Sequence, residues 1–404
     1  MPTFLYMARG ADNKVIKGKL SAATKEAAAG QLSRQNLNVV SLREKKGSFL
    51  GIGAEPSPKV TTKDISVLTR QLATMISAGI PLLEALEILE EQAEDKGFKL
   101  ALGRIIDKVR AGTDLSEAIS DYPKIFTRIY VNMVKAGEAG GQLDGILNRL
   151  SEYMEAAEEL KREIKSAMTY PVISLCLIFA IVAGLMVGIV PKFKEIFLTL
   201  NVELPPPTKF LLWASDFLVN EAAIWVSALV VTIVGFIVWK KTDTGARQWD
   251  WLMLRVPIFG PLFRKVAISR FARTFATLIQ SGVPILGALE IVAATAGNRI
   301  VEEAVLKARE SVRQGNTLGE PLGKGNVFPP MVTRMISIGE RAGALETLLV
   351  KISEFYDGEV KATVAALTSL IEPLLIMVMG LVVGGIVLAI FLPILKIQEA
   401  VQKK

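Results

Sequence analysis

Two carboxylates stand at matched places in this chain, each directly after a glycine. They are Gly137-Glu138 in VKAGEAGGQLDGIL (134–147) and Gly339-Glu340 in SIGERAGALETLL (337–349). A carboxylate at a turn can act as a general base or a metal ligand, and Asp144 is near enough in sequence to Glu138 to share a cation. The commoner use of such a group is to cap or pair with a neighbouring helix. The surrounding glycines raise a second chemistry, a phosphate cradle. That needs G-x-x-x-x-G-K-[ST] after a strand, so that backbone amides wrap the phosphates and the hydroxyl holds magnesium. The nearest string, GNTLGEPLGKGN (315–326), has leucine at 318 where the first glycine belongs and glycine after Lys324. The stretch at 134–147 has no lysine-serine pair and no strand before it. Neither is expected to bind a nucleotide. Glu372, beside Pro373 at the start of an apolar run, could carry protons in a membrane. A carboxylate there also suits a helix N-terminus, and Tyr170 at the matched place in the first half carries no acid.

Composition removes most other chemistry. The 404-residue chain has no histidine, which excludes His-based triads, His general bases and His-ligated metals together. Its single cysteine, Cys176, lies in an apolar run and excludes an intrachain disulfide or a CxxC metal site. Most familiar enzyme chemistry is thereby missing; no catalytic residue, cofactor or metal ligand is assigned, and an oxygen-ligated divalent metal stays open. Hydrophobic residues make up 51% of the chain beside 22% charged, figures that fit together if apolar residues gather into spans. A net charge of +7 admits nucleic acid, anionic lipid or an acidic protein as partner. The basic clusters are short (REKK at 43–46, WKK at 239–241) and not interleaved with aromatics. Nucleic acid is not expected; lysine and arginine at a membrane edge are.

The elements that must position these residues begin with three uncharged runs long enough to cross a bilayer: 166–191, 222–239 and 373–395. Lys161, Arg162 and Lys165 precede the first, and Lys240, Lys241, Arg247, Arg255, Arg264, Lys265, Arg270 and Arg273 follow the second. Lysine and arginine collect on the cytoplasmic side, so the N-terminal part and 240–372 are expected there. The loop 192–221 and the tail 396–404 then fall outside, although the tail's three lysines run against the rule. MPTFLYMARGADNK has no basic stretch leading into an apolar core, so no cleavable signal peptide is expected.

The parts flanking the spans are copies of each other. LTRQLATMISAGIPLLEAL (68–86) aligns with FARTFATLIQSGVPILGAL (271–289), pairing Arg70 with Arg273, Gly79 with Gly282 and Pro81 with Pro284. VRAGTDLSEAI (109–119) meets VRQGNTLGEPL (312–322) at the same offset. After a one-residue slip, Glu138 pairs with Glu340, Gly141 with Gly343 and Pro171 with Pro373. Apolar residues at helical spacing predict an all-α bundle made twice, each copy leading into a span. Gly79-Ile80-Pro81 reads as one helix stopping and the next starting. Thr113-Asp114 and Asn316-Thr317 sit where N-caps are wanted. Arg70 and Arg273 are expected in salt bridges or helix-end contacts. Residues 1–47 read as a small α+β module, with TFLYMARG, KVIKGKL and LNVVSLRE extended, GADNK a turn and TKEAAAGQLSRQ a helix. A Gly-, Ser- and Pro-rich linker covers 48–60, and the two bundles 61–165 and 240–372.

LTRQLATMISAGIPLLEALEIL, RIYVNMVKAGEAGGQLDGILNRL, KREIKSAMTYPV and VFPPMVTRMISIGERAGALETLL resemble the inner-membrane platform family of type IV pilus and type II secretion machines. The resemblance covers essentially the whole chain. It implies a mainly α protein with two homologous cytoplasmic six-helix bundles, three transmembrane helices and no catalytic activity. It implies an oligomeric platform in the bacterial inner membrane, N-terminus cytoplasmic and C-terminus external. Its implied partners are a hexameric cytoplasmic assembly or retraction ATPase, pilin or pseudopilin subunits, and inner-membrane alignment proteins. YVNMVKAGE and KREIKSAMTYP look more like the pilus branch, PilC, than the secretion branch, GspF. A small transporter is the alternative from another class, but the spans offer only Ser, Thr, Tyr and one Cys as polar groups.

Overall fold

A computed structural model describes residues 3–9, 15–21, 29–31, 38–45, 57–199, 204–325 and 327–402. The strands β1 (Thr3–Arg9), β2 (Val15–Ser21) and β3 (Asn38–Lys45) form an antiparallel sheet in the order β2-β1-β3. Thr3 faces Ser21 on one side and Lys45 on the other, and the β1–β3 register shifts between Met7 and Ala8. Residues 29–31 are helical, and the rest of the helix expected there lies outside the described residues, as do the GADNK turn and most of the 48–60 linker.

The chain divides into two compact units. The first comprises Met1–Glu159, Arg270–Gly297 and Val301–Ser353; the second comprises Leu160–Ser269, Asn298–Ile300 and Glu354–Lys404. Helices of both repeats meet in the first. The first copy runs α1 (Thr62–Ser77), α2 (Leu82–Gln92), α3 (Lys96–Arg110), α4 (Leu115–Ser120), α5 (Arg128–Gly140) and α6 (Leu143–Gly184). A capping box starts α1: the Thr61 hydroxyl accepts from Asp64 N, and the Asp64 carboxylate accepts from Thr61 N at 2.8 Å. Left-handed Gly79 (φ +85) ends it, and Pro81 stands at the N-cap of α2, where its carbonyl takes the Ala85 amide at 2.9 Å. Leu72, Leu102, Ile105, Ile106, Met133, Leu147 and Leu150 are fully buried. Full burial of such a side chain contributes about 1.5–3 kcal/mol, so this layer holds α1, α3, α5 and α6 together.

After α10 (Asp243–Arg255; α7 to α9 are described below), the second copy repeats the order. Its helices are α11 (Gly260–Gln280), α12 (Ile285–Thr295), α13 (Arg299–Arg313), α14 (Gly319–Gly323), α15 (Pro330–Ala342) and α16 (Leu345–Gln402). Its core is more aromatic: Phe271 meets Phe328 edge-on at 4.8 Å and Phe275 at 5.8 Å. The copies touch where the Tyr153 hydroxyl lies 3.2 Å from that of Thr274 and the Arg149 guanidinium donates to the Gln280 carbonyl.

Among the described residues three helices are long and apolar enough to cross a membrane, within Leu143–Phe197, Ile224–Lys241 and Leu345–Leu395. The first and third are continuous with the bundles, passing through Pro171 and Pro373 without stopping. The second is α9 (Ala222–Lys241). The stretch read from sequence as a plain loop at 192–221 is largely helical. A π-helical turn (Leu185–Ile189) leads from α6 into α7 (Val190–Thr199), and α8 (Pro206–Asn220) follows. Proline in its first turn starts α8, and Thr208, Leu211, Leu212 and Ser215 give it one buried face at helical spacing.

Candidate functional site

The matched glycine–glutamate pairs lie at a joint in each copy, where the fifth helix turns into the sixth. Gly141 (φ +64) and Gly343 (φ +65) take the left-handed conformation at the end of α5 and α15. One turn earlier, Gly137 and Gly339 let the next helix come close. A Cβ on Gly137 would stand 3.0 Å from Ile146 Cβ, and one on Gly339 would stand 2.9 Å from Leu345 Cα. The glutamates between them cap another element. Glu138 accepts the Leu115 amide at 2.5 Å and the Ser116 amide at 3.1 Å, both at the start of α4. Glu340 accepts the Leu318 amide with both oxygens, at 3.0 and 2.9 Å, at the start of α14. The N-cap expectation holds in position at Thr113-Asp114 and is corrected at Asn316-Thr317. Asp114 occupies the N-cap without a side-chain bond, and the second copy's N-cap is Leu318. A carboxylate from a distant helix satisfies the free amides in place of a local side chain. Among the described residues no three acidic or cysteine side chains gather into a metal site.

Arg70 meets Glu155 through two parallel bonds of 2.6 Å, tying α1 to α6. The Arg70 hydrogen bond holds the Glu155 carboxyl below its ordinary value, against the opposite push of partial burial. Gly282 (φ +77) and Pro284 repeat the turn of Gly79 and Pro81, and Arg273 occupies the place of Arg70 in α11.

After the joints in the chain, α6 and α16 run on into the apolar spans. In the second unit α16 packs through Val360, Val364 and Leu367 on Leu262, with Leu160, Ile164, Ala167, Phe259 and Val266 around them. Polar pairs edge this cluster: Lys265 with Glu359 at 2.7 Å and Thr363 at 2.9 Å, Lys361 with Glu163 at 2.8 Å, and Ser269 with Asp357. Such partly exposed pairs fix register more than they stabilise, each contributing about 0–1 kcal/mol.

Farther along, two prolines leave carbonyls without helical partners. Pro191 has no N–H, and Val190 N is already bound to the Leu185 carbonyl in the π turn, so the Met186 carbonyl has no amide within reach along the helix. Ser215 of α8 donates to it at 2.6 Å. In α16 Pro393 removes the amide that would serve Ala389, and Thr208 of α8 donates to that carbonyl at 2.5 Å. Thr208 and Ser215 are seven residues apart, two helical turns, and so share one face. Helix α8 therefore clasps the first and third spans together, with Met186, Val190, Leu211, Leu212, Ile386 and Ala389 buried between. Lys194 on α7 pairs with Asp216 at 2.7 Å beside it.

Comparison with known proteins accounts for the doubled architecture. The family model for type II secretion system protein F matches twice, at residues 68–191 and 271–393, and the model for that protein's N-terminal domain matches residues 1–43. The chain belongs to the type II secretion system protein F family. Relatives include the type IV pilus assembly protein PilC of Myxococcus xanthus, 41% identical over 99% of this chain and 96% of its own. PilC of Thermus thermophilus is 42% identical over 98% of each chain. The type II secretion system protein F of Vibrio cholerae is 33% identical over the whole of both.

The two matches of the protein F family contain the structural and interaction candidates read from the sequence, from Arg70 to Pro171 in the first copy and from Arg273 to Pro373 in the second. The clasping helix lies between the matches, and sequence reasoning passed over it. Its legible signals were prolines 191 and 393 at equivalent places near the span ends, with hydroxyls at positions 208 and 215 of the intervening segment.

Proposed function

We propose that this protein is a non-enzymatic platform of the bacterial inner membrane, serving type IV pilus assembly. It couples a cytoplasmic assembly ATPase to the insertion or extraction of pilin subunits. The feature that carries this reading is the unbroken passage of each bundle's last helix into an apolar span, Leu143–Gly184 in one copy and Leu345–Gln402 in the other. A displacement at the bundle would pass to the span along one helix, whose hydrogen-bond ladder loses one bond at Pro171 in the first copy and one at Pro373 in the second. The basic flanks support a topology with the bundles on the ATPase side and the C-terminal tail outside. The glutamate-capped joints, with Arg70, Arg273 and the paired glycines and prolines, shape the bundle surface offered to the ATPase and to alignment proteins. The platform is taken to be a homo-oligomer.

Greater identity to the pilus proteins than to the secretion protein favours the pilus. A strain lacking the protein is expected to lose surface pili and to keep its secreted enzymes. Loss of secretion with normal piliation would move the protein to a secretion machine. Purified free of other proteins, it is expected to hydrolyse no ATP, and intrinsic hydrolysis would sink the platform reading.

A further inference from the structure

Helix α8 is apolar on two faces. Thr208, Leu211, Leu212 and Ser215 are buried against the spans. On the other side Phe210, Trp213 and Phe217 form a stripe of neighbouring rings, with ring centroids 5.9 and 6.0 Å apart and exposures of 68%, 63% and 41%. Three large rings in a row on an exposed helix face, with Lys209 near one end and Asn220 at the other, are not the surface of a helix bathed in water.

We infer that this stripe seats in the interfacial layer of the lipid bilayer, so that α8 is a membrane-lying helix joined to the spans. The inference rests on the reading that the apolar helices cross a membrane. The level of the helix is fixed by its bonds to Met186 and Ala389, which belong to the last turns of the first and third spans. Beside those carbonyls the spans carry bare apolar side chains: Val187 and Ile189 on one, Leu388 and Phe391 on the other. The stripe and these span residues thus both present exposed apolar side chains. The stripe's chemistry suits the boundary between chains and headgroups: aromatic rings, tryptophan above all, collect there, and Lys209 can extend its ammonium to the headgroups. Phospholipid interface of any headgroup satisfies these contacts, since the stripe presents rings and no phosphate-binding fork.

The test uses the full-length protein in phospholipid vesicles, with Trp225, Trp239, Trp249 and Trp251 replaced by phenylalanine so that Trp213 is the only emitter. Lipids brominated near the glycerol end of the acyl chain are expected to quench Trp213 more than lipids brominated at the chain terminus, and aqueous iodide is expected to quench little. Strong iodide quenching without bromolipid quenching would place the stripe in water. Protection from both would mean that protein, such as a second copy, covers it. Either result overturns the inference. A companion variant retaining only Trp239, at the end of the second span, separates the two readings. If bromolipids quench Trp239 and not Trp213, only the stripe's placement fails; if neither is quenched, the membrane reading fails with it. Should the multiple replacement unfold the protein, Trp213→Phe in the otherwise native chain is measured instead. It is expected to lower the shallow-bromolipid-quenchable part of the emission, and an unchanged quenchable part would overturn the inference.

Discussion

At the residue scale, glycines of similar sequence context have different duties. Gly137 and Gly339 face backbone and side chain of the following helix at 2.9–3.3 Å from where a Cβ would stand, whereas Gly140 has nothing within 4 Å. Gly137→Ala and Gly339→Ala are each expected to destabilise by about 1–3 kcal/mol, the usual effect of overpacking. Gly140→Ala is expected to be neutral or to stabilise by up to about 1 kcal/mol, since alanine favours helix. Thermal denaturation of the solubilised protein measures both, and equal shifts for Gly137 and Gly140 would contradict the close-approach account. The Arg70–Glu155 pair makes a pH prediction. Its depressed carboxyl pKa contributes stability above the unfolded value, near 4.5, and that contribution fades as pH falls through the folded value. With both partners about half exposed, screening limits the effect to about 1 kcal/mol or less. The difference in melting temperature between the native chain and Glu155→Gln is thus expected at neutral pH and to close on acidification below about pH 4. Burial pushes the Tyr130 phenol up to about 12, so this side chain stays neutral through that whole range.

At the element scale, the clasp of α8 is the feature with the largest consequence per residue. A buried carbonyl left without a donor costs about 1–3 kcal/mol, and in hydrocarbon no water replaces the lost bond. Thr208→Val and Ser215→Ala should each destabilise by that amount. Ser227→Ala should change little, because the Ser227 hydroxyl bonds within its own helix, to the Ile224 carbonyl. Melting in detergent, with the three variants side by side, checks this. Similar curves for all three would mean that the Met186 and Ala389 carbonyls find other partners. The elements themselves were largely legible. Apolar spacing around Leu72, Gly79-Ile80-Pro81 and the repeat of both around Phe275 gave helices and their ends. The helix at 206–220 was not read, because its start, PPPT, resembles a loop and its polar Thr208 and Ser215 interrupt the apolar pattern. Those two hydroxyls are buried only because the partners that need them lie far away in sequence.

At the scale of the whole molecule, the sequence by itself determined that the chain is doubled, mainly helical and built with three long apolar runs. Those properties follow from composition, periodicity and self-similarity, which need no knowledge of what touches what. Without histidine or a cysteine pair, the commonest catalytic and metal chemistries were excluded in the same way. Tertiary structure decided the rest. It turned Glu138 and Glu340 from possible ligands into caps for α4 and α14, gathered helices of both repeats into one compact unit, and assigned Thr208 and Ser215 to carbonyls orphaned by Pro191 and Pro393. The physical reason is common to all three. A hydrogen-bonding group must be satisfied wherever water cannot reach it. Which group satisfies it is set by proximity in space, and local sequence carries almost no record of that.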